Sequence, residues 1–479
     1  MVARSRGLTH WAKPLLRIAM STLVDKLLGS DIPYITYAVP FFFLLIGVEF
    51  FVGLVQRKQI YRLNDSINDL SCGVIDQVVG IFLQSLLFAG YLYLFSHARL
   101  FDIESAPPAA KWIAAGALML GVDFCFYWFH RIAHEYAAPW ATHVVHHQSE
   151  EYNLAVALRQ SAFESCFAWI FYLPLAVLGF PPKWYLAMSA LNLLYQFWIH
   201  TEAIDRLGPL EWVFNTPSHH RVHHARNLKY LDKNYAGMFI IWDRLFGTYQ
   251  KEEERPVYGI TKPLRSWNPL WANLHYWAEL AEDAWRAPRW RDKFKIWFMP
   301  LGWTPPGLEE RPRAKEITRE ELVKYDPRLP LGMSLYVLAQ FVLVLALGVM
   351  VLTMGDSNVA LREIAGPAAL VLGSLANLGG LLENKGWARR AEYARLALLP
   401  IAAYWWFGAE AIPIAIATGL ATVSALWLFA YRGRAEELET PRIAGETAGN
   451  GPGVNRVDAS EPNSGEPPHQ ADRLIRQTN

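Results

Sequence analysis

Long apolar stretches alternate with polar connections along most of the chain, and this pattern predicts membrane-spanning helices. A helix needs roughly 20 residues to cross a hydrocarbon core about 30 Å thick. Nine stretches near this length lie at about 33–55, 72–95, 111–129, 160–180, 184–200, 332–354, 365–381, 393–408 and 411–431. We therefore expect an all-α, polytopic helical membrane protein with about nine spans, whose shorter members can enter the bilayer without crossing it.

Polarity divides the chain into four parts. A weakly amphipathic N-terminal segment, 1–32, is expected at the membrane interface, because it has neither the apolar core nor the cleavage site of a signal peptide. A membrane catalytic domain is expected at 33–330, including a polar segment at about 205–330. A C-terminal helical membrane module should follow at 331–432, and a disordered tail rich in Glu, Pro, Gly and Asn at 433–479.

The distribution of basic residues predicts the orientation of the chain. Clusters of Lys and Arg follow the first, seventh and ninth stretches, and nine crossings place them on the same side as the polar 205–330 segment. Positively charged loops favour the cytosol. The basic N-terminus falls on the other side and disagrees with this count. We expect an integral multi-pass protein with the polar segment in the cytosol, in a bacterial inner membrane rather than the endoplasmic reticulum.

Composition supports a membrane protein and excludes several other classes. Hydrophobic residues make up 53% of the chain and charged residues only 19%, below the soluble average of about 25%. A net charge of +1 without a long basic stripe argues against nucleic acid as a partner. The three cysteines, Cys72, Cys125 and Cys166, stand singly, which excludes a disulfide framework and a cysteine-based zinc site.

Ten of the fourteen histidines lie between His130 and His224, in groups that read HRIAH, HVVHH, a single histidine and HHRVHH. Histidines three or four apart share one helix face, while adjacent ones diverge by about 100°, so one helix can serve two metals. His219 is either a further ligand or a neighbour of the ligands. Nine candidates exceed the needs of one ion and predict two metals: His130, His134, His143, His146, His147, His200, His220, His223 and His224.

Three of the apolar stretches also carry polar stripes that run toward these histidines. The stripes repeat every three or four residues, as one face of a helix does. A carboxylate inside a membrane is costly and indicates function, with a structural hydrogen bond as the alternative. We expect the following residues to orient ligands, relay protons or face the substrate: Asp123, Tyr127, Glu164, Asn192 and Gln196.

Ligand type alone does not identify the metal, because imidazole binds Zn, Cu, Fe and Ni. A site at the membrane boundary can reach a lipid, and attack on an unactivated C–H bond needs an oxidant that side chains lack. Iron with dioxygen supplies one. This favours an O2-dependent lipid oxygenase over a histidine-based metal transporter, whose ligands would lie near mid-membrane.

The order HxxxH, HxxHH, HxxHH, with an extra histidine between the last two, resembles the fatty acid hydroxylase/sterol desaturase superfamily of membrane non-haem di-iron oxygenases. The resemblance covers roughly 70–270 and is carried by HRIAHE, THVVHHQSEEYN and NTPSHHRVHHARN. A finer similarity is to the ether-lipid-cleaving alkylglycerol monooxygenases. It is carried by SHHRVHHARN, the segment from Asn234 to Tyr249, Glu135 after the first motif, and the extra C-terminal spans.

This resemblance implies a helical bundle whose cytosolic cap closes a di-iron site over a lipid tunnel. The nine histidines would ligate two Fe ions, with O2 as co-substrate. Glu135 and His219 would be functional residues beside the ligands, as we expect of Asp123, and Asn234 would face the site. The donor would be tetrahydrobiopterin or a separate electron-transfer protein, because the chain has no haem-binding HPGG motif.

The implied reaction hydroxylates the carbon next to the ether oxygen of an alkylglycerol, which cleaves the ether bond. The alternative within the same class is hydroxylation or desaturation of a sterol, fatty acid or carotenoid. Both alternatives use the same ligands and differ in the tunnel that receives the lipid.

Overall fold

The computed structural model describes residues 34–310, 314–355, 357 and 359–431, which form helices and no β-strand. This confirms the all-α prediction. The expected segments 1–32 and 433–479 lie outside the described residues. The fourteen helices of the described part are α1 (Tyr34–Val55), α2 (Leu63–Ala98), α3 (Pro108–Glu135), α4 (Ala137–His147), α5 (Ser165–Val177), α6 (Pro182–Trp198), α7 (Pro217–His223), α8 (Ile241–Phe246), α9 (Pro269–Arg286), α10 (Trp290–Lys295), α11 (Leu331–Gly355), α12 (Leu361–Leu382), α13 (Gly386–Phe407) and α14 (Ala411–Ala430).

Six of the described helices, α1, α2, α3, α11, α12 and α14, are long and apolar enough to cross a membrane. The multi-pass membrane prediction is confirmed, but the count of nine spans is not. α5 has 13 residues and α6 has 17. At about 1.5 Å per residue, both are shorter than a hydrocarbon core of about 30 Å. α13 is long enough, but its first half carries Arg389, Arg390, Glu392 and Arg395.

The second histidine-bearing helix, α4, begins where the first, the candidate span α3, ends. α3 ends at Glu135, Tyr136 has extended backbone, and α4 begins at once with Ala137. α3 packs against α4, α5 and α6, and α9 packs against α4. Val144 of α4 and Leu280 of α9 belong to one buried apolar cluster. The HRIAH and HVVHH motifs therefore lie side by side at the end of α3.

The C-terminal helices share a core with the rest of the chain. α11 and α12 pack against α2, and one buried cluster includes Ile75 of α2 and Leu378 of α12. Just after α12, the carboxylate of Glu383 accepts hydrogen bonds from Ser266 Oγ at 2.7 Å and from the backbone N–H of Trp267. Packing and hydrogen bonds thus attach the predicted C-terminal module to α2 and to the start of α9.

A buried ion pair stabilises the arrangement of the C-terminal helices. Arg395 donates to the two carboxylate oxygens of Glu392 at 2.8 and 2.7 Å. Tyr336 of α11 and Asn377 of α12 donate to the same carboxylate. The ion pair lies within α13, and the hydrogen bonds from Tyr336 and Asn377 to its buried carboxylate tie α11 and α12 to it.

A glycine in α2 permits a close approach that an alanine would prevent. A Cβ atom on Gly73 would lie 2.3 Å from the carbonyl oxygen of Leu158. We predict that Gly73→Ala lowers the free energy of unfolding by about 1–3 kcal/mol, because the backbone at Leu158 must move. Thermal unfolding of the detergent-purified protein measures the effect. Gly116→Ala in α3 is the matched control, since nothing lies within 4 Å of its Cβ position. Equal melting temperatures for the two variants would contradict the close approach.

Candidate metal centre

Nine buried histidines form two adjoining groups beside the end of α3. Within each group, one ring nitrogen of every member lies within 4.8 Å of the others. The structure thus brings together all nine histidines selected from the sequence. The five-histidine group contains His130, His134, His143, His147 and His223. The four-histidine group contains His146, His200, His220 and His224.

Two helices contribute histidines to both groups. In α4, His143 and His147 are four residues apart on one face and join the five-histidine group. His146 is rotated by about 100° from its neighbour and joins the four-histidine group. α7 divides in the same way, with His223 in the larger group and His220 in the smaller one. The HxxHH motif therefore serves two adjacent sites in each helix.

The ring nitrogens of the five-histidine group have the spacing of ligands around one cation. Nε2 of His143 lies 2.9 Å from Nε2 of His130 and 3.1 Å from that of His147. Two ligands at right angles, each about 2.1 Å from a metal, are about 3.0 Å apart. The Nε2 atoms of His134 and His223 are buried and have no hydrogen-bond partner among the described residues. This nitrogen set fits a transition-metal ion.

The four-histidine group has the same spacing. Nε2 of His200 lies 3.1 Å from that of His146 and 3.0 Å from that of His220. Nε2 of His224 lies 3.2 Å from that of His220. Four converging imidazole nitrogens are a sufficient donor set for a second ion, and imidazole suits Fe, Zn, Cu and Ni.

Backbone carbonyls fix the orientation of four rings. A carbonyl oxygen only accepts, so the Nδ1 atom that faces it carries the proton and Nε2 keeps its lone pair for a metal. The four bonds run from His130 to Tyr235 at 2.7 Å, from His146 to Arg159 at 2.9 Å, from His200 to Gln196 at 2.8 Å, and from His223 to Lys233 at 3.0 Å.

For the histidines that lie outside the membrane spans, burial favours the neutral form of the ring, which is the form that binds metal. Desolvation lowers the pKa of His146 to about 4. It also lowers the pKa of His147, His220 and His223 well below the ordinary value of 6.5. These rings are therefore neutral at neutral pH, and neutral imidazole is the metal ligand.

Asp123, Asn192 and Gln196, predicted as parts of polar stripes, form a continuous hydrogen-bond chain. Gln196 donates to Asn192 at 2.6 Å, and Asn192 donates to Asp123 at 2.7 Å. The Asp123 carboxylate also accepts from the backbone N–H groups of residues 238–239 and from the indole of Trp242. With four donors, Asp123 holds this loop against α3, and its carboxylate lies outside the two histidine groups.

The loop held by Asp123 carries the acceptor for His130. The carbonyl of Tyr235 accepts from His130, and the N–H of Tyr235 donates to Asp243 at 2.8 Å. A Cβ atom on Gly237 would lie 2.8 Å from Asp123 Oδ1, so the close approach requires glycine. Sequence analysis missed Asp243, although an acidic residue within the apolar IIWDRLF stretch was an available signal.

Glu164 is a predicted carboxylate that lies beside a candidate ligand. Its Oε2 atom is 3.5 Å from Nδ1 of His143, and neither atom has a hydrogen-bond partner in the described part of the chain. A carboxylate behind a metal-bound imidazole orients the ring and raises its basicity. The contact suits an orienting role for Glu164.

Glu135 and Tyr127 lie outside both histidine groups. Glu135 forms an ion pair with Arg131 on the same helix, with 2.8 Å between Oε1 and Nε. The Tyr127 hydroxyl lies 3.0 Å from Thr248 Oγ1 and accepts from Arg131 at 3.3 Å. Both side chains are engaged in contacts along α3 and to the segment after α8.

His219 also belongs to neither group. Burial lowers its pKa to about 4, and its ring packs edge-on against Tyr249, with 5.5 Å between the ring centroids. Asn234 donates to the carbonyl of His219 at 3.0 Å and to that of Gln250 at 2.8 Å. Asn234 thereby ties the start of α7 to the segment after α8.

Arg159 is a site residue that sequence analysis missed. Its carbonyl accepts from His146, and its buried guanidinium donates to the carbonyl of Val145 at 2.6 Å. The guanidinium also donates to Gln148 at 2.6 Å and forms an ion pair with Asp69 of α2 at 3.0 Å. Arg159 therefore fixes the C-terminal end of α4 against α2. A lone arginine in an irregular loop gives no signal for this in the sequence.

A cavity of about 860 Å³ reaches the histidines of both groups. Its lining includes His134, His147 and His223 from the larger group and His224 from the smaller one. Most of the remaining wall comes from residues 225–321. Cavities of roughly this size hold small molecules.

A helical membrane fold with two adjoining all-histidine groups at the end of a span defines a membrane metalloprotein of the histidine-rich class. Comparison with known proteins agrees. The profile of the fatty acid hydroxylase family matches residues 115–248, which contain all nine histidines. No solved structure matches the chain.

The chain is similar to proteins described as alkylglycerol monooxygenase. It is 42% identical to the one from Homo sapiens over 321 residues, 66% of this chain and 71% of the human protein. It is 38% identical to the one from Xenopus tropicalis over 378 residues, 77% of this chain and 82% of the relative. It is 32% identical to ornithine lipid hydroxylase OlsE of Rhizobium tropici over 143 residues, 29% of this chain and 43% of that protein.

The chain therefore belongs to the fatty acid hydroxylase family and is a membrane lipid monooxygenase of that family. The resemblance inferred from the histidine motifs is confirmed. The role of each histidine and of each neighbouring residue stays a prediction.

The distinction between ligands and neighbours can be tested within α7. We predict that His220→Ala loses at least about half of the bound metal, because it leaves three histidines around one of the two proposed ions. His219→Ala should keep the wild-type amount, since His219 lies outside both groups. Elemental analysis of the purified variants measures the metal per chain. Equal losses in both variants would show that the metal depends on α7 as a whole rather than on His220.

Proposed function

We propose that this protein is an O2-dependent di-iron lipid monooxygenase that cleaves the ether bond of alkylglycerols. The observation that carries the proposal is the pair of adjoining histidine groups. Both groups contain histidines of α4 and α7, and they lie beside the C-terminal end of the candidate span α3. The similarity to alkylglycerol monooxygenases over most of the chain supports the substrate class.

The two histidine groups would each hold one iron ion. When bound, two irons with O2 and two electrons supply an oxidant strong enough to attack a C–H bond. One oxygen atom enters the substrate and the other leaves as water. The unpartnered Nε2 atoms of His134 and His223 and the all-nitrogen donor sets fit such ions.

The residues around the histidines prepare the site before any substrate binds. The carbonyls of Tyr235 and Arg159 hold the protons of His130 and His146 on Nδ1. Burial keeps the rings of His146, His147, His220 and His223 neutral, and Glu164 is placed to orient His143. Asp123 acts as a positioning residue in this proposal, because it holds the loop that supplies the acceptor for His130.

The chemistry of the ether explains why hydroxylation leads to cleavage. Hydroxylation of the carbon beside the ether oxygen gives a hemiacetal. Its collapse transfers the hydroxyl proton to the departing alkoxide, breaks the carbon–oxygen bond and releases a fatty aldehyde and glycerol. The overall step consumes the lipid, O2, two electrons and two protons, and it forms water besides the two products.

The reductant and the orientation of the chain belong to the proposal too. We propose tetrahydrobiopterin or a separate electron-transfer protein as the donor, as the family resemblance implies. We propose a cytosolic position for the histidines, because with six spans the basic residues after the first and seventh apolar stretches still lie on the same side as the histidines. The expectation of a bacterial inner membrane receives no support from the relatives that cover most of the chain, which are animal proteins.

A second candidate is hydroxylation of another lipid. The likeness to an ornithine lipid hydroxylase favours this alternative over desaturation, although it covers only 29% of the chain. Sterols, fatty acids and carotenoids remain candidate substrates under the same chemistry. A metal transporter is disfavoured, because His143 to His147 and His200 to His224 lie outside the six candidate spans rather than near mid-membrane.

Isotope labelling with 18O2 tests the proposed reaction. Membranes containing the protein, an alkylglycerol and a reductant should yield labelled fatty aldehyde, trapped as the alcohol by rapid reduction, and unlabelled glycerol. His146→Ala should lower turnover by at least about a hundredfold, because loss of a ligand or its support typically costs this much. His97→Ala, at the exposed end of α2, should retain wild-type turnover.

Two results would reject parts of this proposal separately. Full activity of His146→Ala would reject the ligand assignment. A labelled product from another lipid, with intact alkylglycerol, would keep the monooxygenase and replace its substrate.

A further inference from the structure

The segment from Trp285 to Phe298, at the end of α9 and through α10, exposes four large aromatic side chains. Their exposed fractions are 84% for Trp285, 75% for Trp290, 67% for Phe294 and 70% for Phe298. Trp290 and Phe294 are four residues apart on one face of α10, and Phe298 follows in the turn after this helix. Apolar surfaces this concentrated mark a contact with another phase or molecule.

The opposite face of the same segment is already covered by protein. Ile296 and Leu301 are buried in one apolar cluster with Val144 of α4 and Leu280 of α9. The segment therefore has apolar side chains on two faces, and the face formed by Trp290, Phe294 and Phe298 is largely exposed, with Lys293 lying over the Trp290 ring at 5.8 Å.

Backbone hydrogen bonds attach the residues that follow α10 to the C-terminal end of α3. The N–H of Leu301 donates to the carbonyl of Glu135, the last residue of α3, at 3.0 Å. The N–H groups of Ala137 and Ala138 donate to residues 297–299, to Met299 at 3.1 Å and to Trp297 at 2.9 Å. Since α3 is a candidate span that ends at Glu135, these bonds hold the segment beside the end of a span, on the side from which a bilayer surface can reach it.

The charge of the segment identifies what the interface contains. Residues 286–295 carry five Lys or Arg and one Asp. Asp292 is buried, whereas Arg289, Arg291 and Lys295 are exposed beside the aromatic face. Aromatic rings with neighbouring cations are the composition that binds the headgroup region of anionic bilayers.

We propose that residues 285–298 form an anchor that inserts Trp290, Phe294 and Phe298 into the interface of the bilayer and binds anionic lipid headgroups through Arg289, Arg291 and Lys295. The anchor is bonded to the Glu135–Ala138 joint, which connects the HRIAH and HVVHH motifs. It therefore couples the lipid surface to the position of α4. The inference does not depend on which lipid the enzyme oxidises.

Site-directed spin labelling of the full chain in lipid nanodiscs tests the anchor. A label at Phe294→Cys should collide several-fold more often with lipid-soluble O2 than with a water-soluble nickel complex. A label at Ile416→Cys, exposed on the spanning helix α14, gives the lipid limit, and one at Glu253→Cys, exposed on the polar segment, gives the water limit. Labelled wild-type protein corrects for the native cysteines. A Phe294 label as water-accessible as the Glu253 label overturns the anchor and leaves a protein partner for this face.

The headgroup contact is tested by changing the lipid and the cations together. Nanodiscs of phosphatidylcholine are compared with nanodiscs that contain about a third phosphatidylglycerol. The anionic lipid should increase the O2 preference of the Phe294 label. This increase should disappear in a chain that also carries Arg289→Gln, Arg291→Gln and Lys295→Gln, which leaves the aromatic face intact. The headgroup contact is overturned if anionic lipid does not increase the O2 preference in the chain with its native cations. It is also overturned if the increase persists in the chain with the three glutamines.

Discussion

Nine buried imidazoles can crowd around two points only if their rings are neutral. Positive rings packed 2.9–3.2 Å apart would repel each other in a buried space. Burial prevents this by favouring the neutral form, and an acceptor behind the ring decides which nitrogen keeps the proton. Much of the surrounding structure serves to bury these rings and to supply acceptors for their Nδ1 protons.

The required acceptors come from irregular segments rather than from helices alone. Tyr235, which accepts from His130, lies in a loop whose backbone is bound by Asp123 on one side and Asp243 on the other. Arg159, which accepts from His146, is itself held by the ion pair with Asp69. Buried carboxylates and a buried guanidinium thus give these loops fixed positions that their sequence alone would not impose.

Helical periodicity explains what could be predicted from the sequence. Histidines spaced by four must share a face, so the ligand candidates follow from local geometry. Arg159 and Asp69 are ninety residues apart, and nothing local reports their contact. The span count fails for a related reason: the apolar stretch at 160–180 contains a helix of only 13 residues, from Ser165 to Val177, and where a helix begins within an apolar stretch depends on its tertiary contacts. The sequence shows that Asp123 is polar and embedded, but its four donors depend on the tertiary fold.

The division of α4 between two groups has a consequence for how the centre assembles. One rigid helix of 11 residues carries His143 and His147 on one side and His146 on another. A rotation of this helix therefore displaces donors of both sites in the same motion. If both groups hold ions as proposed, the first ion to bind would restrict that rotation and so order donors of the second site in advance. The two donor sets cannot be adjusted independently, because α4, like α7, places histidines in both of them.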